Sequence, residues 1–196
     1  MSQMIADLLA ALTSEDEPRS EAAAAGLSAL PEALQAEARK GLQGLLAASE
    51  ADRRWWAARA LAALPGAEVT PLLLQALEDE EATVRQCAAL GLRQRPDERA
   101  IAGLAQALDD PDPLSRRLAG EALKANGGEA VPALLEVMEG GSHAARLEAA
   151  RALANIGDTR AIPALLNALE GSALLEYWAN EGLERMGVGM RFFVPD

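Results

Sequence analysis

The chain has 196 residues, half of them hydrophobic but only 3% aromatic, and a formal net charge of −12. Ala and Leu supply most of the apolar content, which favours closely packed helices over strands. The acidic balance opposes a nucleic-acid footprint and docking on anionic lipid. No apolar run approaches the ~18 residues that a membrane helix needs. The single cysteine, Cys87, forms no internal disulfide. The start, MSQMIADLLAALTSEDE, turns acidic at once, unlike a signal peptide. A cytoplasmic protein is expected.

In chain order, PRSEAAAAG (18–26) is a weak first copy of a pattern that then recurs. LPEALQAEARKGLQGLLAA (30–48) predicts a long first helix for the second copy, followed by RRWWAARAL (53–61). VRQCAALGL (84–92), SRRLAGEAL (115–123), ARLEAARAL (145–153) and LEYWANEGL (175–183) repeat that motif every 30 or 31 residues. Between them lie VTPLLLQAL (69–77), AIAGLAQAL (100–108), AVPALLEVM (130–138) and AIPALLNAL (161–169). Pro71, Pro132 and Pro163 suit the first turn of a helix, where a missing N–H costs nothing. Turns such as Asn-Ile-Gly-Asp (155–158) stop one helix before the next begins.

Aligned copies give columns. Ala22, Ala57, Ala88, Ala119, Ala149 and Ala179 form one, and Ala25, Ala60, Gly91, Ala122, Ala152 and Gly182 a second. Leu61, Leu92, Leu123, Leu153 and Leu183 follow, with Gly26 the exception. Small–small–Leu at this spacing is one helix face, and small residues let neighbouring helices approach closely. Two helices per ~30 residues predict an all-α solenoid of about six repeats. Their expected limits are 1–30, 31–65, 66–96, 97–127, 128–157 and 158–187. That makes 1–187 a single domain, with 188–196, including Phe192, Phe193 and Val194, as a C-terminal tail or cap.

These units resemble the short bacterial HEAT repeat of phycobilisome-lyase-like proteins. The resemblance rests on EDEEATVRQCAALGL (78–92), DDPDPLSRRLAGEAL (109–123) and ARLEAARALANIGDTRAIPALLNAL (145–169). It implies a turn aspartate six residues ahead of an arginine, forming a ladder between repeats. Asp79–Arg85 and Asp110–Arg116 keep that spacing; Arg54 and Arg146 lack it, because Ala48 and Gly140 stand in the aspartate's place. In the last repeat Glu176 replaces the arginine.

Candidate sites for chemistry are few. His143, in a Gly-Gly-Ser-His turn, reads as a capping residue, and Cys87 as a core thiol. Metal sites need several convergent ligands, so no metal or cofactor is expected, and no nucleophile–base pair can be assembled. The aromatics say more. Trp56 and Trp178 are expected half-buried between repeats. Trp55, Arg59, Leu90, Arg93, Arg117, Arg151 and Tyr177 are expected on an exposed strip of the inner helices, together with Ala62, Lys124 and Ala154. That strip mixes arginine with aromatic and aliphatic residues, an interface-like composition. The reading is a scaffold that is more simply not an enzyme, binding another protein, such as an acidic amphipathic helix, in a concave groove. The resemblance also implies an alternative, a phycobilin lyase subunit.

Overall fold

The computed structural model describes residues 2–188, so the expected cap at 188–196 lies, Val188 apart, outside the described residues. Helices and short 3₁₀ turns make up the structure, with no strand among the described residues. The chain, read from sequence as one array over 1–187, divides after Ala100 into two compact units. In the first, α1 (Gln3–Leu12) pairs with α2 (Glu17–Ser28), α3 (Glu32–Leu46) with α4 (Ala51–Ala63), and α5 (Thr70–Leu77) with α6 (Ala82–Gln94). In the second, α7 (Ile101–Gln106) pairs with α8 (Pro113–Ala125), α9 (Val131–Gly140) with α10 (His143–Ile156), and α11 (Ile162–Ala168) with α12 (Ala173–Arg185). Within each unit the second helices stack in succession, α2 on α4 on α6 and α8 on α10 on α12, more closely than the first helices do.

Local chemistry sets these boundaries. Asp16 and Asp112 cap α2 and α8 by accepting from the N–H groups of Arg19 and Ser115, which relieves part of the unpaired first turn. Ser142 does the same for α10 by accepting from Ala145 at 3.1 Å. The cap is therefore Ser142, and His143 is the first helical residue instead, exposed, with Nε2 3.4 Å from Ser172 Oγ. Gly157 ends α10 at φ 72°, where a side chain would be strained, and its N–H returns to Leu153 O at 3.0 Å. Pro71, Pro132 and Pro163 each stand in the first turn of a first helix, behind a 3₁₀ turn.

The small-residue columns are the seam of the stack. Ala57, Ala88, Ala119, Ala149 and Ala179 are all fully buried, and so, nearly, are Leu61, Leu92, Leu123, Leu153 and Leu183. The first copy departs from the sequence alignment by one residue. Ala22 and Ala25 are exposed, whereas Ala23, Ala24 and Leu27 are buried. Shifting the register by one removes the exception at Gly26, because Leu27 fills the leucine column. It also puts Ser20, not Arg19, in the place Arg54 holds one pair later; Ser20 is buried and Arg19 exposed. Ala62 and Ala154, expected on the exposed strip, are buried instead. A Cβ on Gly91 would stand 2.8 Å from Ala62 Cβ, and one on Gly182 2.9 Å from Ala154 Cα. The glycine of one helix thus seats the alanine of the helix before it.

This contact predicts opposite signs for two glycine substitutions. Gly91→Ala should destabilise by about 1–3 kcal/mol through overpacking, despite the better helix propensity of alanine. Gly44→Ala, on α3 with nothing within 4 Å of the added Cβ, should stabilise by about 0.5–1 kcal/mol. Urea melts of both variants check the pair; a gain of stability at Gly91 would mean that the seam is not tight.

Candidate interaction surface

The ladder of the sequence reading takes a definite form in the first unit. Arg54 is buried, and its Nε and Nη2 donate to Asp79 Oδ2 and Oδ1 at 2.7 and 3.0 Å. Its Nη1 donates to the carbonyls of Ala48 and Ser49, both at 3.0 Å. The carboxylate of Asp79 therefore serves the arginine of the preceding pair. Arg85, six residues after Asp79, donates to the main-chain carbonyls of Asp79 and Glu80 at 2.8 and 2.9 Å. Arg116 repeats this with the carbonyls of Asp110 and Pro111 at 2.7 and 3.2 Å. Arg146, whose turn carries Gly140, has a buried Nε with no hydrogen-bond partner among the described residues.

The strip residues of the first unit are not free cations. Arg59 donates to Glu21 of α2 at 2.5 Å, a carboxylate that the sequence columns leave off the strip. Trp55 and Trp56 meet edge to face with centroids 4.9 Å apart, both half-buried, a favoured aromatic geometry. Leu90 and Arg93 are half-buried on α6. The thiol of Cys87 on the same helix is pushed up to about 11 by burial, leaving it an unreactive core group.

In the second unit the strip condenses around α8, α10 and α12. Arg117 and Tyr177 are exposed, and Arg117 pairs with Glu121 at 3.3 Å. Arg151 forms an ion pair with Glu148 on its own helix, and its Cζ lies 5.9 Å from the ring centroid of Trp178, within cation–π range. Trp178 meets Tyr177 edge to face at 5.1 Å. Burial pushes the Glu148 carboxyl up and the Arg151 guanidinium down, each opposed by the other's charge. A pocket of about 190 Å³ opens there, with Arg117, Lys124, Arg151, Glu121 and Trp178 among its walls. Arg117 and Arg151 are each paired within the protein, by Glu121 and Glu148, and Lys124 lines the same pocket beside the Trp178 indole, a setting that offers charge and an apolar face to a carboxylate on another molecule.

A sequence model of HEAT repeats matches residues 38–124 and 101–184. The chain belongs to the HEAT-repeat family. No curated protein matches it. Among solved structures it is similar to an engineered protein at 23% identity and TM-score 0.55, over 96% of this chain and 98% of that one. It is similar to the complex of CpcE and CpcF of phycocyanin lyase from Nostoc sp. PCC7120 at 24% identity and TM-score 0.55, over 95% and 78% of the chains. A designed armadillo repeat protein in complex with the peptide (KR)4 matches at 20% identity and TM-score 0.52, over 94% and 100%. At these identities the likeness is one of fold. No helix among the described residues is long and apolar enough to cross a membrane, and no metal-binding cluster of His, Cys, Asp or Glu occurs among them.

The HEAT repeats are also tied by arginines that sequence reasoning left out. Asp97 and Asp158 each hold the arginine two residues on, and Arg99 and Arg160 then reach back to the carbonyls of Ala67 and Gly128, both at 2.7 Å. Thr70 Oγ1 adds a bond to Asp97 at 2.7 Å. Arg95 donates to the carbonyls of Ala62 and Leu64 at the end of α4, and Arg185 to Asn155 Oδ1 at 2.9 Å at the end of α10. Cations at helix C-termini are favoured by the dipole. The recurrence of Asp-x-Arg-Ala at 97–100 and 158–161 is the signal that could have marked the first of these ties.

Two tests follow from these ties. Asp79→Ala leaves the buried Arg54 with the exposed Glu80 carboxylate, 3.0 Å from Nη2, and two main-chain carbonyls, and should cost about 1–3 kcal/mol in urea melts; an unchanged midpoint would show that these remaining acceptors satisfy Arg54. The Asp158 carboxyl is held down to about 2, first by the Arg160 side chain, against about 3.9 in an unfolded chain. Its contribution is complete above the unfolded value and fades as pH falls toward the folded one. Asp158→Asn should therefore flatten the loss of stability between about pH 4 and pH 2. An unaltered acid limb would show that the Asp158–Arg160 pair contributes nothing.

Proposed function

We propose that this HEAT-repeat protein is a protein–protein interaction scaffold, with 1–187 acting as one array. The partner is taken up on a strip of the second helices that is half-buried at Trp55, Arg59, Leu90 and Arg93 in the first unit and at Arg151 in the second, and exposed at Arg117 and Tyr177. The observation that carries the reading is the second-unit pocket, where Arg117, Lys124 and Arg151 line one wall set with Trp178. Cations beside an indole supply both a carboxylate clamp and an apolar anchor, the pairing that dominates interface energetics. The occupant that fits is an acidic amphipathic helix, laid down in the helix-in-groove manner. Structural relatives of the same fold include one in complex with a peptide and one whose two chains form a complex.

Trp178 gives a direct readout once Trp55 and Trp56 are changed to Phe. Titration with a helix-forming peptide bearing Glu and Leu at i, i+3 and i+4 should shift its fluorescence saturably. Arg117→Glu with Lys124→Glu should weaken that binding on the order of tenfold or more, since each loses an attraction and gains a repulsion. Gln75→Glu with Glu136→Gln, on exposed positions of the first helices, should leave it unchanged. Equal binding of a basic peptide of the same pattern would sink the acidic-helix reading.

The alternative, a phycobilin lyase subunit, draws on the likeness to the CpcE–CpcF complex. It predicts bilin transfer to, or removal from, a phycocyanin subunit, alone or with a second chain. Absence of any change in bilin absorbance in that assay would leave the scaffold reading standing.

A further inference from the structure

The ladder of arginines is interrupted between the first two helix pairs. Where Arg54 stands one pair later, the first pair has Ser20, and where Asp79 stands, the second pair has Ala48. Ser20 is fully buried, its hydroxyl within 3.3 Å of Ser14 Oγ and of the carbonyls of Ser14 and Ala11. So short a side chain reaches only its own turn. From Ser14 a pocket of about 570 Å³ opens between the turns at 13–17 and 49–53. Trp55 and Trp56 line it, half-buried and edge to face. Glu15, Glu17, Glu50 and Asp52 complete the walls, all exposed, with Arg53 drawn toward Glu50 at 3.7 Å. Burying half of two indoles beside four carboxylates and one arginine leaves a cavity that is aromatic and strongly negative.

We propose that this pocket binds the guanidinium of an arginine presented by a basic segment of a partner protein. The protein itself shows both halves of the required chemistry. Arg54 threads between two successive turns, donating to main-chain carbonyls on one side and bidentately to a carboxylate on the other. Arg151 lies over the Trp178 indole. A planar guanidinium stacks on an indole and forks onto carboxylates, which a lysine ammonium does less well. An acidic side chain is repelled by these walls, and a neutral polar one finds no charge to pair with. The incoming arginine would therefore occupy the space between turns that the chain's own arginine occupies one repeat later. Trp55 is shared with the strip proposed above, but the pocket that carries the acidic-helix reading is lined by second-unit residues alone, so the failure of this proposal leaves that reading standing, and the reverse.

The full chain carrying Trp178→Phe leaves Trp55 and Trp56 as reporters. The probe is an N-acetylated, C-amidated pentapeptide with one central arginine, compared with its citrulline and lysine counterparts. Saturable fluorescence change is expected with arginine, weakened on the order of tenfold with citrulline, which keeps the shape and loses the charge. Glu15→Gln with Asp52→Asn, both exposed, should weaken the arginine peptide by a similar factor while the far-ultraviolet circular dichroism stays the same. Ser20→Arg with Ala48→Asp supplies the missing rung and should abolish the response by filling the pocket. If that variant does not fold, the carboxylate variant still decides. Citrulline binding as tightly as arginine would overturn the proposal. So would equal binding of lysine and arginine with salt removing both, which is diffuse attraction by the acidic turns.

Discussion

Within each unit a second helix has to lie close enough to the next for a methyl group to be the largest thing between them. At Ala62 with Gly91 and Ala154 with Gly182 even that allowance is withdrawn from one side. This spacing decides where every bulky side chain goes. Leucines sit one step round, between first and second helices, and the tryptophans and tyrosine are displaced toward turns and outer faces. The aromatic content is low for the same reason: a seam built of alanine and glycine has no room for rings, so rings appear only where the stack is open.

The arginines are the second consequence. A stack held by small residues gains little dispersion per contact, and its neighbours are tied instead by long side chains reaching across. Arg54, Arg95, Arg99, Arg160 and Arg185 all cross from one pair to the next. Arg59 and Arg151 are likewise engaged with Glu21 and Glu148. Much of the positive charge is thus committed within the protein, while the acidic turns at 15–17 and 78–81 stay exposed for the most part. The net charge of −12 is in this sense a property of the turns and not of the helix faces.

The helices, their pairing and the seam were legible because period and column carry them: alanine at 57, 88, 119, 149 and 179 admits one phase only. The first copy was misread by a residue because PRSEAAAAG offers four alanines in a row, and only the burial of Leu27 selects among them. The strip was legible as a set of positions but not as a set of charges. Glu148 lies outside the columns that define it, and Glu21 enters the Trp55 column only after the one-residue shift of the first copy, so the columns alone did not show their pairing with Arg151 and Arg59. Ala62 and Ala154 were placed outside for a related reason. Helical phase puts them beside lysine and arginine, whereas their exposure is decided by a glycine some thirty residues on. The pocket at Trp55 and Trp56 depends on two turns from different repeats, which no single-repeat column displays.

Arg85 and Arg116 donate from Nη1 to peptide carbonyls, and Arg95, Arg99 and Arg160 donate to others from Nη2. A peptide carbonyl is present whatever residue supplies it, so these sockets survive drift at the acceptor positions, where a carboxylate socket such as Asp79 does not. A duplicated unit inherits both the arginine and the receiving carbonyls, and it can be joined to its neighbour before any side chain has been tuned to fit. Arrays of such units can lengthen first and specialise afterwards, and Ala48 and Gly140 stand at two joints where that place holds no aspartate.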